Sequence, residues 1–195
     1  LRGSTDPSAN TGNDNTALGY QTLRSNTTGE GNTASGSGAL FYNTTGFANT
    51  ATGTYSLNNN SIGNNNTAIG YRALESSTTG NFNTASGSNA LSYNTTGLWN
   101  TGIGSNALYF NIEGNANVAV GNAALLSNAT GSSNTANGTD ALFWNISGSS
   151  NTAIGHRTLF TNTTGVNNTA VGKEALLTIL TGSNNTAIGY KADVA

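Results

Sequence analysis

The side chains that could do chemistry in this chain are few and widely spaced. His156 is the only histidine and cysteine is absent. An imidazole metal cluster, a Cys–His pair or a Ser-His-Asp relay therefore has no second member to work with. The carboxylates, Asp6, Asp14, Glu30, Glu75, Glu113, Asp140, Glu174 and Asp193, fall at irregular intervals. That irregularity spoils a calcium loop, which needs oxygen ligands at fixed alternate positions, and a paired-carboxylate glycosidase. The chain reads as a non-enzyme with no catalytic residue, metal site or cofactor. The aromatic residues remain. Tyr42, Tyr93 and Trp144 are spaced 51 residues apart, a regularity that suits a multivalent surface for glycan rings.

The scaffold that must carry those rings is a 17-residue repeat, marked by Asn15, Asn32, Asn49, Asn66, Asn83, Asn100, Asn117, Asn134, Asn151, Asn168 and Asn185. The unit is Asn-Thr-Ala-x-Gly-x-x-Ala-Leu-x-x-Asn-Thr-Thr-Gly-x-x, and nothing is ever inserted between copies. Loops tolerate insertion, so the perfect register predicts that every copy stacks on its neighbours as a solenoid. Abundant Asn and Gly with little charge would also suit a disordered segment. Such a segment has no reason to keep Leu at the ninth position of ten consecutive copies: Leu23, Leu40, Leu57, Leu74, Leu91, Leu108, Leu125, Leu142, Leu159 and Leu176.

Glycine holds the fifth and fifteenth positions throughout, which marks two corners per coil needing positive φ or close backbone approach. Between the corners lie segments too short for helices, so the pattern predicts two short strands per coil in an all-β parallel solenoid of about eleven coils. Alternation across the first strand puts the Asn and Ala of positions one and three inside and the residues of positions two and four outside. The Leu column forms the expected structural core, and the first-position Asn side chains form an amide ladder along the axis. One Leu and one Ala bury little apolar area per coil. The fourth position also carries Leu18, Ile69, Ile103, Val120, Ile154, Val171 and Ile188 on the outer side. Both features predict side-by-side association, and the expected state is a homotrimer.

Composition excludes some partners. Only six Lys and Arg occur, scattered along the chain, against a net charge of −2. No basic stripe exists to neutralise a phosphate backbone, so nucleic acid is not an expected partner. No apolar run approaches a membrane span, so membrane insertion by this segment is not expected either. The opening residues, 1–9, lack an initiator Met or an apolar signal core and read as a disordered leader, in part vector-derived. The repeat array occupies 10–192, and 193–195 read as the start of a following element.

The stretch Asn66-Thr67-Ala68-Ile69-Gly70-Tyr71, its equivalents at Asn151 and Asn185, and Asn117-Val118-Ala119-Val120-Gly121 resemble the Asn-x-Val-Ala-Ile-Gly strand of YadA-like head repeats in trimeric adhesins. The full unit is similar to Asn-Thr-Ala-Val-Gly-Tyr repeat arrays of bacterial surface and phage-type tail-fibre proteins. The resemblance covers residues 10–192 and implies a left-handed parallel β-roll, three chains about a threefold axis, and an extracellular adhesive or receptor-binding fibre at a cell surface or on a virion. The YadA-like unit is shorter, so this coil is expected to be wider and its trimer contacts do not transfer. The expected partner is a cell-surface glycan or envelope component.

Two surfaces leave alternatives open. Aromatic residues gather at the tenth and eleventh positions, where one column can face a neighbour and the other water. Tyr42, Tyr93 and Trp144 are then either recognition groups or trimer contacts, and in the second case the segment is a passive shaft with binding at a distal tip. The Thr column at the second position suggests an ice-binding face, but the irregular fourth position argues against a lattice-matched plane. The Asn-x-Ser/Thr sequons at Asn26, Asn43, Asn94, Asn128, Asn145 and Asn162 follow from the Asn-Thr-Thr-Gly turn and read as unmodified.

Overall fold

A computed structural model describes residues 11–194. The expected leader and the last residue of the expected following element lie outside the described residues. Eleven three-residue strands, from β1 (Thr16–Leu18) to β11 (Thr186–Ile188), one in each coil, form a single parallel sheet in chain order. Register is strict. Thr16 pairs with Thr33, Ala17 with Ala34 and Leu18 with Ser35, and the same offset continues to the end of the array. The chain is thus an all-β parallel solenoid, with no helix among the described residues.

The strand is short because Gly stops it. Every fifth-position Gly in the array has φ between 125° and 141°, which side-chain-bearing residues rarely adopt. A Cβ at Gly36 would also lie 2.6 Å from the Gly53 carbonyl carbon of the next coil. The fifteenth-position Gly serves differently: a Cβ at Gly46 would collide with the Asn43 amide oxygen and the Gly63 carbonyl. One corner needs the unusual φ and both need the close approach.

The second expected strand does not form, and the segment x-Ala-Leu-x-x-Asn is a run of turns. The ten Leu residues sit at φ 48–54°, and the residues two before them are left-handed as well. Such alternation breaks the extended geometry of a strand while leaving the axial bonding intact. The Leu23 amide donates to the Ala39 carbonyl of the next coil at 3.1 Å, and the Leu23 carbonyl accepts from the Asn26 amide at 3.3 Å. A left-handed L-residue costs roughly 1–2 kcal/mol. Full burial of each of the ten Leu side chains, worth about 1.5–3 kcal/mol, offsets that cost. The inward aim of the Leu column therefore comes from turn geometry and not from strand alternation.

Around the Leu lies a small apolar lining, mostly Ala at positions three and eight. Where position eight is polar, its hydroxyl stays bonded inside: Thr22 Oγ1 donates to Gly36 O at 2.8 Å and Thr158 Oγ1 to Gly172 O at 2.7 Å. Buried hydroxyls without such partners would be costly.

Candidate functional site

Two amide ladders run through the interior. In the first, each repeat-start Asn accepts, at its Oδ1, the backbone N–H of the Asn one coil on, at 2.9–3.0 Å from Asn15 to Asn185. Its Nδ2 donates to the fifteenth-position Gly carbonyl of its own coil, as Asn49 does to Gly63 at 2.8 Å. The second ladder was not expected. It uses the twelfth-position Asn, whose Nδ2 donates to the Oδ1 of its counterpart one coil back: Asn43 to Asn26 at 2.8 Å, Asn60 to Asn43 at 2.9 Å, Asn111 to Asn94 at 2.6 Å. The same Nδ2 also reaches its own coil's Gly carbonyl, so the two ladders converge on one acceptor, as Asn32 and Asn43 do on Gly46. The sequon asparagines Asn26, Asn43, Asn94, Asn128, Asn145 and Asn162 all belong to this ladder and are buried. The recurrence of Asn at position twelve was the signal for it.

The ladder breaks at Ser77 and ends at Ile179. Asn60 Oδ1 and Asn162 Oδ1, which face those two positions, are buried without a hydrogen-bond partner, and so is Ser77 Oγ. Among the described residues this interior is a scaffold whose polar groups are almost fully paired.

Functional chemistry therefore has to lie outside. On the outer sheet face Thr at position two alternates with the mixed fourth position. There Leu18, Ile69, Ile103, Ile154 and Ile188 are exposed and Val120 and Val171 half-buried. Val118 interrupts the Thr column.

The turn segment carries the aromatic residues. Tyr42, Tyr93 and Trp144 are 52%, 44% and 48% exposed, so none belongs to the core. They do not come together: each leans on rings of its own neighbourhood. Tyr42 meets Phe41 edge-on at 4.5 Å, Tyr93 stacks on Phe110 at 5.4 Å, and Trp144 meets Phe143 edge-on at 4.8 Å. The tenth-position rings Phe41, Tyr109, Phe143 and Phe160 are half-buried beneath them. Burial, with a hydrogen bond to Tyr93 next in importance, raises the Tyr109 phenol above its ordinary pKa.

A different edge carries Phe82 stacked on Trp99 at 6.2 Å. The sequence signal for that pair is aromatics at position seventeen of consecutive coils. The outer charges form weak surface pairs: Arg72 with Glu75 at 3.6 Å, and Glu174 with Lys173 and Lys191 at 3.7 and 3.6 Å. Exposed pairs of this kind contribute little. His156 is exposed. Among the described residues no three His, Cys, Asp or Glu side chains come close enough to hold a metal ion, and no helix is long and apolar enough to cross a membrane.

No family model, curated protein or solved structure matches the chain. Functional reading consequently rests on the surfaces themselves.

Proposed function

We propose that this chain is a segment of a homotrimeric, left-handed β-roll fibre that works outside the cell, at a cell surface or on a virion, and that presents or spaces recognition of a target surface. The observation that carries this reading is the outer sheet face. Aliphatic side chains at Leu18, Ile69, Ile103, Ile154 and Ile188 stand exposed along a single column. An exposed apolar column of this kind, interrupted by Ser35, Thr52, Ser86 and Asn137, suits an interaction surface, and the uniform 17-residue spacing suits one parallel partner along its length. Eleven coils at about 4.8 Å each give a rod of roughly 50 Å, the proportion of a shaft segment.

Sedimentation velocity with small-angle scattering tests it. The expected result is an elongated trimer, and replacing Ile69, Ile103 and Ile154 together by Lys should return it to a folded monomer. A wild-type chain that stays a folded monomer at micromolar concentration would remove the trimer from the proposal.

Adhesion and passive spacing are separate roles for the same rod. The separation of Tyr42, Tyr93 and Trp144, each seated against its own neighbours, favours independent weak sites over one strong one. Ice binding is the weaker reading, because residues as different as Ile154, Asn137 and Ser86 alternate in the fourth-position column beside the Thr residues.

A further inference from the structure

Gly38 is the only glycine at the seventh position of the unit. Every other coil has a side chain there, and the backbone accepts it: Gln21 has φ 55° and Tyr55 φ 58°, close to the 67° of Gly38. The glycine is therefore not required by the turn. Its effect is local space, because a Cβ on Gly38 would lie 2.8 Å from Tyr55 Cδ1. Without that Cβ the Tyr55 ring packs against Gly38 of the preceding coil, and both line a groove of about 180 Å³ on the turn segment of the first three coils.

From the composition of this groove, we propose that it is a binding site for one neutral sugar ring of a glycan. Phe41 and Tyr42 meet at 66° and make an angled wall, and Tyr20 and Tyr55 supply two further rings. Aromatic faces of this kind suit the C–H face of a pyranose. The Asn58 Nδ2 donates to Gly38 O at 2.7 Å, which fixes the amide and leaves its oxygen as an acceptor at the groove. Gln21 brings both a donor and an acceptor. No charged side chain lines the groove; Arg24 lies over the Phe41 ring at 5.4 Å. A concave site with rings and a few uncharged polar groups selects a polyhydroxylated neutral ligand over an ionic one. This assignment rests on the adhesive form of the reading above and identifies one site within it. All the residues that line the groove come from one chain, so its presence does not require the trimer.

Saturation-transfer NMR on the whole chain tests it, using the methyl glycosides of glucose, galactose, mannose and N-acetylglucosamine, with N-acetylneuraminic acid as the anionic comparison. Wild type should bind at least one neutral glycoside in the millimolar range. Gly38→Gln, which puts the residue of the preceding coil where it must displace the Tyr55 ring, and Tyr42→Ala, which removes a wall, should each weaken binding about tenfold or more. His156→Ala, outside the groove and at an exposed position, should leave it unchanged. Circular dichroism establishes folding, and if Gly38→Gln does not fold, Tyr42→Ala decides. Absence of transfer to every neutral glycoside, binding of the acidic sugar alone, or full binding in Tyr42→Ala would each overturn the site. Sedimentation of the same samples separates the two ideas: sugar binding by a monomer leaves the groove standing without the trimer, and a trimer that binds no sugar is a passive shaft.

Discussion

Ser77→Asn should stabilise this protein, an unusual expectation for enlarging a fully buried residue. Ser77 occupies the one interior position of the second ladder, between Asn60 and Asn94, where the amide is missing. The cost is visible on both sides of the break. Asn60 Oδ1 and Ser77 Oγ have no partner, and Asn94 Nδ2 donates only to its own Gly97 at 3.0 Å. An Asn at 77 would donate its Nδ2 to Asn60 Oδ1 and accept from Asn94 Nδ2, in the geometry that Asn128 adopts between Asn111 and Asn145, at 2.7 and 2.8 Å. A buried group left unsatisfied costs about 1–3 kcal/mol. Ordering the longer side chain takes back up to about 1.5 kcal/mol, while the second new bond returns about 1 kcal/mol. The net gain is about 2 kcal/mol per chain, which for a chain of this length raises Tm by about 4–8 °C. Thermal melts followed by circular dichroism measure it, with sedimentation confirming an unchanged oligomeric state. Ser77→Ala is the control, since it removes the orphan hydroxyl without restoring the ladder and should shift Tm by much less. A Tm for Ser77→Asn equal to or below wild type, or an equal rise in Ser77→Ala, would refute the account of the ladder as a continuous source of stability.

Leu91→Asp should lower stability by about 4 kcal/mol or more, because it places an unpaired charge in a sealed interior, and equilibrium denaturation that detects less would contradict the packing described here. His156→Ala, at an exposed position, should change Tm by less than about 2 °C in the same melts. Secretion through a eukaryotic glycosylation pathway should yield misfolded or retained protein, since sequon amides such as those at Asn43, Asn94 and Asn145 are buried donors; replacing Thr28, Thr45, Thr96, Thr130, Ser147 and Thr164 together by Ala should restore secretion, as seen by immunoblot of the medium. The combined Tyr42→Ser, Tyr93→Ser and Trp144→Ser variant should keep its oligomeric state and lose whole-cell or glycan-array binding. Loss of assembly instead would place those rings in the protomer contact.

What the sequence disclosed and what it hid divide along a physical line. Strict spacing revealed the stacking, and the repeat-start Asn and the two Gly columns were readable because each is invariant for a single local reason. The geometry of the Leu segment was not readable. The segment between the Gly corners, such as Asn89-Ala90-Leu91, has the length of a short strand, and nothing local says that Asn89 and Leu91 are left-handed; axial bonds from adjacent coils hold it there. The second ladder was hidden by a different ambiguity, since Asn before Thr-Thr-Gly is an ordinary turn former and the same residue serves equally as an interior amide. The recurrence of Asn at that position, broken only at Ser77 and Ile179, is the clue that it is interior, because an exposed turn residue would vary more freely. At the surface the sequence located Tyr42 but not its setting, which depends on the absence of a side chain at Gly38.

The strict one-coil reach of the bonding has a kinetic consequence. The interior amide bonds between coils join residues 17 apart in sequence, as Asn32 to Asn15 and Asn145 to Asn128 do, in a chain of 195 residues. Their separation relative to length is about 0.09, which falls among helical bundles and well below most all-β folds. A β protein built this way closes only short loops, so folding can nucleate in any few adjacent coils and spread outward by one coil at a time. Lengthening the array would then add stability without slowing the nucleating step, and a fibre could be extended by duplication without any penalty in the speed at which it forms.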